Sequence, residues 1–135
     1  MVLKLIVDFG LVVLIWMTQL VVYPGFTYYS KPDLIDWHTK YTIYISIIVM
    51  PLMVAQAGIH GWQLFNEFSL IGVSTFVLIV LIWVNTFFFA VPLHNEISAQ
   101  QNVMEAAQGL VRINWYRTVL WSVVFLLSVW DYLRN

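Results

Sequence analysis

The sequence predicts an all-α fold, a four-helix bundle integral to a membrane, and three observations carry that prediction. Of its 135 residues, 61% are hydrophobic and 10% are charged, where a soluble domain carries about 25%. Four stretches without Lys, Arg, Asp, Glu or His cover residues 9–30, 41–59, 68–93 and 118–130, and a membrane-crossing helix needs roughly 20 apolar residues. Between these stretches the chain turns polar and aromatic, with helix-breaking Pro and Gly at the first boundary. So few charges cannot cover a water-facing surface, so the expected solvent is lipid. The reading is one domain over residues 1–135, with spans at about 3–24, 37–59, 68–93 and 113–133.

The first span starts near Leu3, with Lys4 and Asp8 one turn apart at the membrane surface. Only Lys4 precedes the long apolar run, and "VVYPGF" offers no small-x-small cleavage site. The segment therefore reads as a retained span, not a signal peptide. Tyr23-Pro24-Gly25 closes it. In "TYYSKPDLID", Asp36 is the expected N-cap of the second helix, and Pro51 is expected to kink that helix. His60 closes it as an interfacial residue near water. Gln56 and Asn85 lie deeper, where amides bond across helices.

The apolar run from Phe68 ends at Pro92, and His94, Asn95 and Glu96 follow at once. Across residues 94–112, Ile97, Met104 and Val111 recur at seven-residue intervals. That pattern predicts an interfacial amphipathic helix between helices three and four, or an extension of helix four. The fourth span carries Arg117 and Asp131 near its two ends.

Composition excludes several functions. A net charge of −1 without a Lys/Arg cluster leaves no nucleic-acid face. The absence of Cys removes disulfides, thiolate ligands and a cysteine nucleophile. No Ser-His-Asp set and no phosphate-cradling glycine loop is present. No lysine lies deep in a span, which argues against a retinal Schiff base. Spans without internal charge give little support to a transporter or channel unless several copies assemble.

Four spans put both termini on one side and the first and third connections on the other, the polar end. Lys31, Lys40, Arg112 and Arg117 lie at the polar end, against Lys4 and Arg134 at the terminal end, which points to a cytoplasmic polar end. His38 starts helix two, His94 ends helix three, and Asn114 and Arg117 start helix four, so all are expected at similar depth. His60 stands roughly 33 Å along the helix from His38 and cannot share a ligand with it. Three helix stripes point to the same place: His38, Tyr41 and Ile45; Asn114, Arg117 and Trp121; Trp16, Gln19 and Tyr23. They predict a polar, aromatic-walled pocket at one membrane face. The candidate catalytic residues are His38, His94, Arg117 and Asn114. The candidate substrate-binding residues are Gln19, Tyr23, Tyr41, Asn95, Trp115 and Trp121. His38 and His94, with Glu96, also form a candidate site for haem or a metal ion.

Three motifs carry a family resemblance. "VVYPGF" closing helix one, "VPLHNEI" closing helix three and "INWYRT" opening helix four resemble, in order and spacing, the anthrone-oxygenase-like family of small four-helix membrane proteins. The match falls on Pro24, on Val91, Pro92, Leu93 and Asn95, and on Asn114, Arg117 and Thr118. This chain departs from the family in having His94 where Asn is usual, and Trp115 where a His often follows the motif Asn. The resemblance implies oxidation of a hydrophobic aromatic such as an anthrone with O₂. Many family members have no assigned reaction.

Two functional readings follow. One is a membrane oxidoreductase or oxygenase-like protein for an aromatic or quinone-like molecule. In it a histidine acts as base near neutrality and Arg117 stabilises an oxyanion with Asn95 and Asn114. The other is a non-catalytic subunit or scaffold of a larger membrane complex, or a homo-oligomer. Expected partners are the lipid bilayer and a small hydrophobic molecule.

Overall fold

The computed structural model describes residues 2–134. They form four helices, each long and apolar enough to cross a membrane: α1 (Val2–Phe26), α2 (Lys31–Asn66), α3 (Leu70–Ser98) and α4 (Val103–Arg134). Successive helices pack side by side and α4 closes the ring on α1, the up-down-up-down arrangement that short connections impose. Leu20, Ile43, Ile47, Phe88 and Leu126 are exposed around the bundle's flanks, where a water-soluble bundle would carry charge.

Ser30, not Asp36, caps α2. Its hydroxyl accepts from the Asp33 N–H, its backbone is extended, and Pro32 occupies the first turn. Ser-Lys-Pro-Asp supplies both a cap and a first-turn acid. Asp36 lies one turn further in, on the exposed face beside Lys40. The helix then continues unbroken through Pro51 for 36 residues.

Neither Pro24 nor Pro92 ends its helix. Each follows a wide, π-type turn, at Thr18–Val22 and Thr86–Ala90. In both, an N–H reaches five residues back, from Tyr23 to the Thr18 carbonyl and from Val91 to the Thr86 carbonyl. In both, the opening threonine donates its hydroxyl to the carbonyl four back, Leu14 or Ile82, at 2.8 Å. A proline lacks the N–H and its ring crowds the preceding turn. The wider turn accommodates that ring, and such turns often mark functional positions.

No separate interfacial helix lies between α3 and α4. Residues 94–98 belong to α3 and residues 103–112 to α4, leaving a connection of residues 99–102. Gln100 and Asn102 adopt φ of 59° and 45° there, left-handed conformations that reverse the chain sharply. The apolar positions Ile97, Val103, Ala107 and Leu110 are buried. They pack with Tyr23, Phe26, Leu34 and Tyr41 in one core layer. A second layer, running from the cavity wall at Ile15 and Trp121 towards the terminal end, holds also Val7, Leu11, Met53 and Ile79.

Candidate functional site

At the polar end, side chains from all four helices join in a line of hydrogen bonds. Arg117 Nη2 donates to Asn114 Oδ1 at 2.6 Å and to the Tyr23 hydroxyl at 3.1 Å. The Tyr23 hydroxyl lies 3.0 Å from His94 Nε2. His94 Nδ1 lies 2.8 Å from His38 Nε2. His38 Nδ1 ends the line at 3.5 Å from Ser98 Oγ, on an exposed residue.

The amides fix the guanidinium. Asn114 Nδ2 donates to Gln19 Oε1 at 3.0 Å, Thr118 Oγ1 donates to the same oxygen at 3.3 Å, and Gln19 Nε2 donates to the Val111 carbonyl. Gln19, Asn114 and Thr118 are buried. With these bonds made, Asn114 Oδ1 has one direction left, towards Arg117. Phe26 packs edge-on against both His38 and Tyr41, so the imidazoles are held by ring contacts as well as polar ones.

A cavity of about 240 Å³ adjoins this line. Tyr23, His94, Arg117, Tyr41, Asn95 and Trp121 reach it, and its remaining wall is mostly apolar, with Ile15, Ile45, Val49, Met50 and Phe87. Ser46, Phe87 and Asn95 at its edge are exposed, so it opens sideways between α2 and α3. The Arg117 guanidinium carbon sits 5.9 Å from the Tyr23 ring centroid.

The structure thus brings together His38, His94, Arg117, Asn114, Gln19, Tyr23 and Tyr41, with Asn95 and Trp121 on the cavity wall. Asn114 holds Arg117 and Gln19 holds Asn114, and neither lines the cavity. Trp115 lies elsewhere. It is exposed on the outer face of α4, edge-on to Trp16 at 5.9 Å, because it follows Asn114 and so points about 100° away from it around the helix.

The metal set of His38, His94 and Glu96 is not assembled. Among the described residues no three His, Cys, Asp or Glu side chains gather as a metal-binding group. The two facing imidazole nitrogens are bonded to each other at 2.8 Å. An ion held between them would need about 4 Å, twice a metal–nitrogen bond of ~2.0–2.1 Å. A haem iron held by both rings meets the same obstacle, so these residues as arranged fit neither group.

A second polar layer lies at the terminal end, where a water-facing His60 and surface positions for Lys4 and Asp8 were expected. All three are buried. Asp8 Oδ1 accepts from Gln56 Nε2 at 2.7 Å, and His60 Nε2 lies 3.0 Å from Asp8 Oδ2. Trp121 Nε1 donates to Gln56 Oε1 at 2.9 Å. Lys4 Nζ donates to Asp131 Oδ2 at 2.6 Å and to Gln63 Oε1 at 2.9 Å. A helix end can turn its charges inward when its neighbours complete them. The signal was present: Lys4 and Asp8 share one face of α1, and Gln56, His60 and Gln63 share one face of α2. Gln56 bridges helices as expected, whereas Asn85 Oδ1 is buried without a partner among the described residues.

In comparisons with known proteins the chain matches no family model, no curated protein and no solved structure.

Proposed function

We propose that this chain is an integral membrane oxidoreductase of the oxygenase type, acting on a hydrophobic aromatic or quinone-like molecule at the polar end of its bundle. The carrying observation is a single one: the Arg117–Tyr23–His94–His38 line borders an apolar cavity that opens sideways between helices. A lipid-soluble molecule reaches such a cavity without crossing water. The motif resemblance to anthrone oxygenases points to the same substrate class.

Both ring nitrogens of His94 are engaged, and the reading assigns substrate contact to the Tyr23 hydroxyl, which lines the cavity and touches both His94 and Arg117. Arg117 only donates, and the Tyr23 oxygen accepts from it. Tyr23 gives its own proton to His94 Nε2. That places the His94 N–H on Nδ1, facing His38, and the His38 N–H on Nδ1, facing Ser98. This tautomer order is assigned from the donors along the line. As Tyr23 takes a proton from an activated ring CH₂, its own passes to His94. Arg117 faces the oxyanion that develops.

The enolate then gives electrons to O₂, the co-reactant, and a carbon–oxygen bond forms. The peroxide formed takes a proton back and loses water. The CH₂ and O₂ have become a carbonyl and H₂O, with no other electron donor consumed. Four cations against two support a cytoplasmic polar end.

The test is turnover by the purified protein. Anthrone-type substrates under O₂ should give the quinone, with oxygen uptake matching product. His38→Ala and His94→Ala should each slow the reaction strongly. If both variants turn over every active substrate as fast as the parent, the reading fails.

A second reading is a non-catalytic subunit of a larger membrane complex. It draws on the broad apolar groove between α3 and α4, lined by Leu81, Val84, Asn85, Phe89, Trp115 and Val119. Purification in mild detergent separates the readings: a scaffold migrates with larger partners and shows no oxygen uptake.

A further inference from the structure

Arg117 is a buried cation with no ion-pair partner among the described residues. Its side chain is 6% exposed. A guanidinium does not lose its proton in proteins. No described carboxylate forms an ion pair with it. Asp8 is held by His60 and Gln56, Asp33 by Ser30, Asp36 by Lys40 and Asp131 by Lys4, and none of Glu67, Glu96 and Glu105 forms an ion pair with Arg117. The groups around the guanidinium are neutral or basic: Tyr23, Asn114, Tyr41, His94 and His38. Nη2 makes both of its hydrogen bonds, while Nε is buried with no partner among the described residues.

A buried charge is costly unless an opposite charge and hydrogen bonds meet it. Arg117 and its partner Tyr23 both line the cavity. Away from it, the wall is Ile45, Val49, Met50 and Phe87, and the mouth opens between α2 and α3. The site therefore has one cationic end and one greasy end.

We infer that the cavity takes an acidic amphiphile, an organic acid whose carboxylate or phenolate oxygen pairs with Arg117 and whose apolar body lies between α2 and α3. This narrows the substrate class of the proposed reaction, yet it rests on the unpaired charge and not on turnover. An alcohol or a neutral hydrocarbon of the same shape leaves the guanidinium unpaired. A cationic amphiphile is repelled.

Trp121 on the cavity wall supplies the readout. The protein in mild detergent is titrated with a bromine-terminated fatty carboxylate and with the matching alcohol, since bromine quenches nearby indoles. The quenching that disappears in Trp121→Phe is the signal from the cavity. The carboxylate should bind roughly tenfold to a hundredfold more tightly than the alcohol, the range of a charge-assisted hydrogen bond. Arg117→Gln should abolish that preference and Arg117→Lys should keep part of it. Equal binding of acid and alcohol, or an undiminished preference in Arg117→Gln, overturns the inference. Should Arg117→Gln fail to fold, Val49→Phe decides, because it fills the cavity and leaves the guanidinium in place. It should weaken both probes, and unchanged acid binding in it overturns the inference. Tight acid binding with no turnover of any substrate would sink the reaction alone. Turnover without acid preference would sink this inference alone.

Discussion

His38 Nε2 and His94 Nδ1 lie 2.8 Å apart across 56 residues of chain, with the two rings 27° from parallel. The start of α2 and the end of α3 must meet because the helices run antiparallel with a short connection. At that distance one nitrogen donates and the other accepts, so each ring orders the other. His38→Ala and His94→Ala should therefore be non-additive. The double variant should lose less stability than the two singles combined, with a coupling of about 0.5–3 kcal/mol. Denaturant unfolding in detergent measures it, and strict additivity would mean that the rings do not bond.

Asp8 carries the terminal polar layer. It is 1% exposed and accepts from Gln56 and His60 on α2. Asp8→Ala leaves both partners buried without an acceptor, at a cost of roughly 3–5 kcal/mol if the pair is charged. Asp8→Asn keeps one carbonyl oxygen and should cost clearly less. Thermal unfolding of the two variants and the parent side by side checks the order, and an Asp8→Ala protein as stable as the parent would show that the cluster contributes nothing.

Two Lys–Asp pairs allow a direct contrast. Lys4 is 4% exposed and bonds Asp131 and Gln63, so it ties α1 to α2 and α4. Lys40 is 62% exposed beside Asp36 on its own helix, at 3.9 Å. Lys4→Met should destabilise by about 1–3 kcal/mol, because Asp131 and Gln63 lose a buried donor. Lys40→Ala should change stability by less than about 0.5 kcal/mol. Similar losses in both variants would contradict the burial of Lys4.

What the sequence made legible depends on the scale of the feature. Charge-free runs and helix count decide topology, and topology alone brings His38, His94 and Arg117 to one end. Hence the polar-end cluster was readable from stripes at i, i+3 and i+7. The wide turns were not, because a proline after an apolar run reads as a stop. A threonine hydroxyl that donates to the carbonyl four residues back is a weak signal among several threonines. Trp115 was misplaced because aromatic character alone does not give a side chain's direction. The terminal layer was missed for a different reason. Charges near a helix end are usually solvated, and only the partner helix reveals that Lys4, Asp8 and His60 complete one another.

Gly109 sets the distance between α3 and α4 beside the site. A Cβ there would lie 3.2 Å from both Leu93 methyls, and Leu93 directly precedes His94. Gly109→Val should push α3 outward, cost about 1–3 kcal/mol by overpacking, and lengthen the contact between His94 and Tyr23. Leu93→Ala in the same chain should restore part of the loss, because it removes the clashing methyls. Unfolding midpoints of the single and double variants check this, and absence of rescue would place the clash elsewhere.

Tyr23 joins the cation to the imidazoles through one oxygen, 3.1 Å from Arg117 Nη2 and 3.0 Å from His94 Nε2. Tyr23→Phe keeps the ring and its packing on Phe26 but removes that oxygen. Buried Arg117 and half-buried His94 then each lose a partner, which should cost about 1–3 kcal/mol of stability. If Tyr23 passes the substrate proton to His94, turnover should also fall by about 10²–10⁴-fold, while KM changes little because the aromatic wall is intact. Tyr23→His offers a ring nitrogen near the lost hydroxyl and should recover some activity without restoring full stability. Oxygen uptake and thermal unfolding, measured on the same preparations, separate the two effects. A destabilised Tyr23→Phe protein that keeps full turnover would assign the hydroxyl to structure alone.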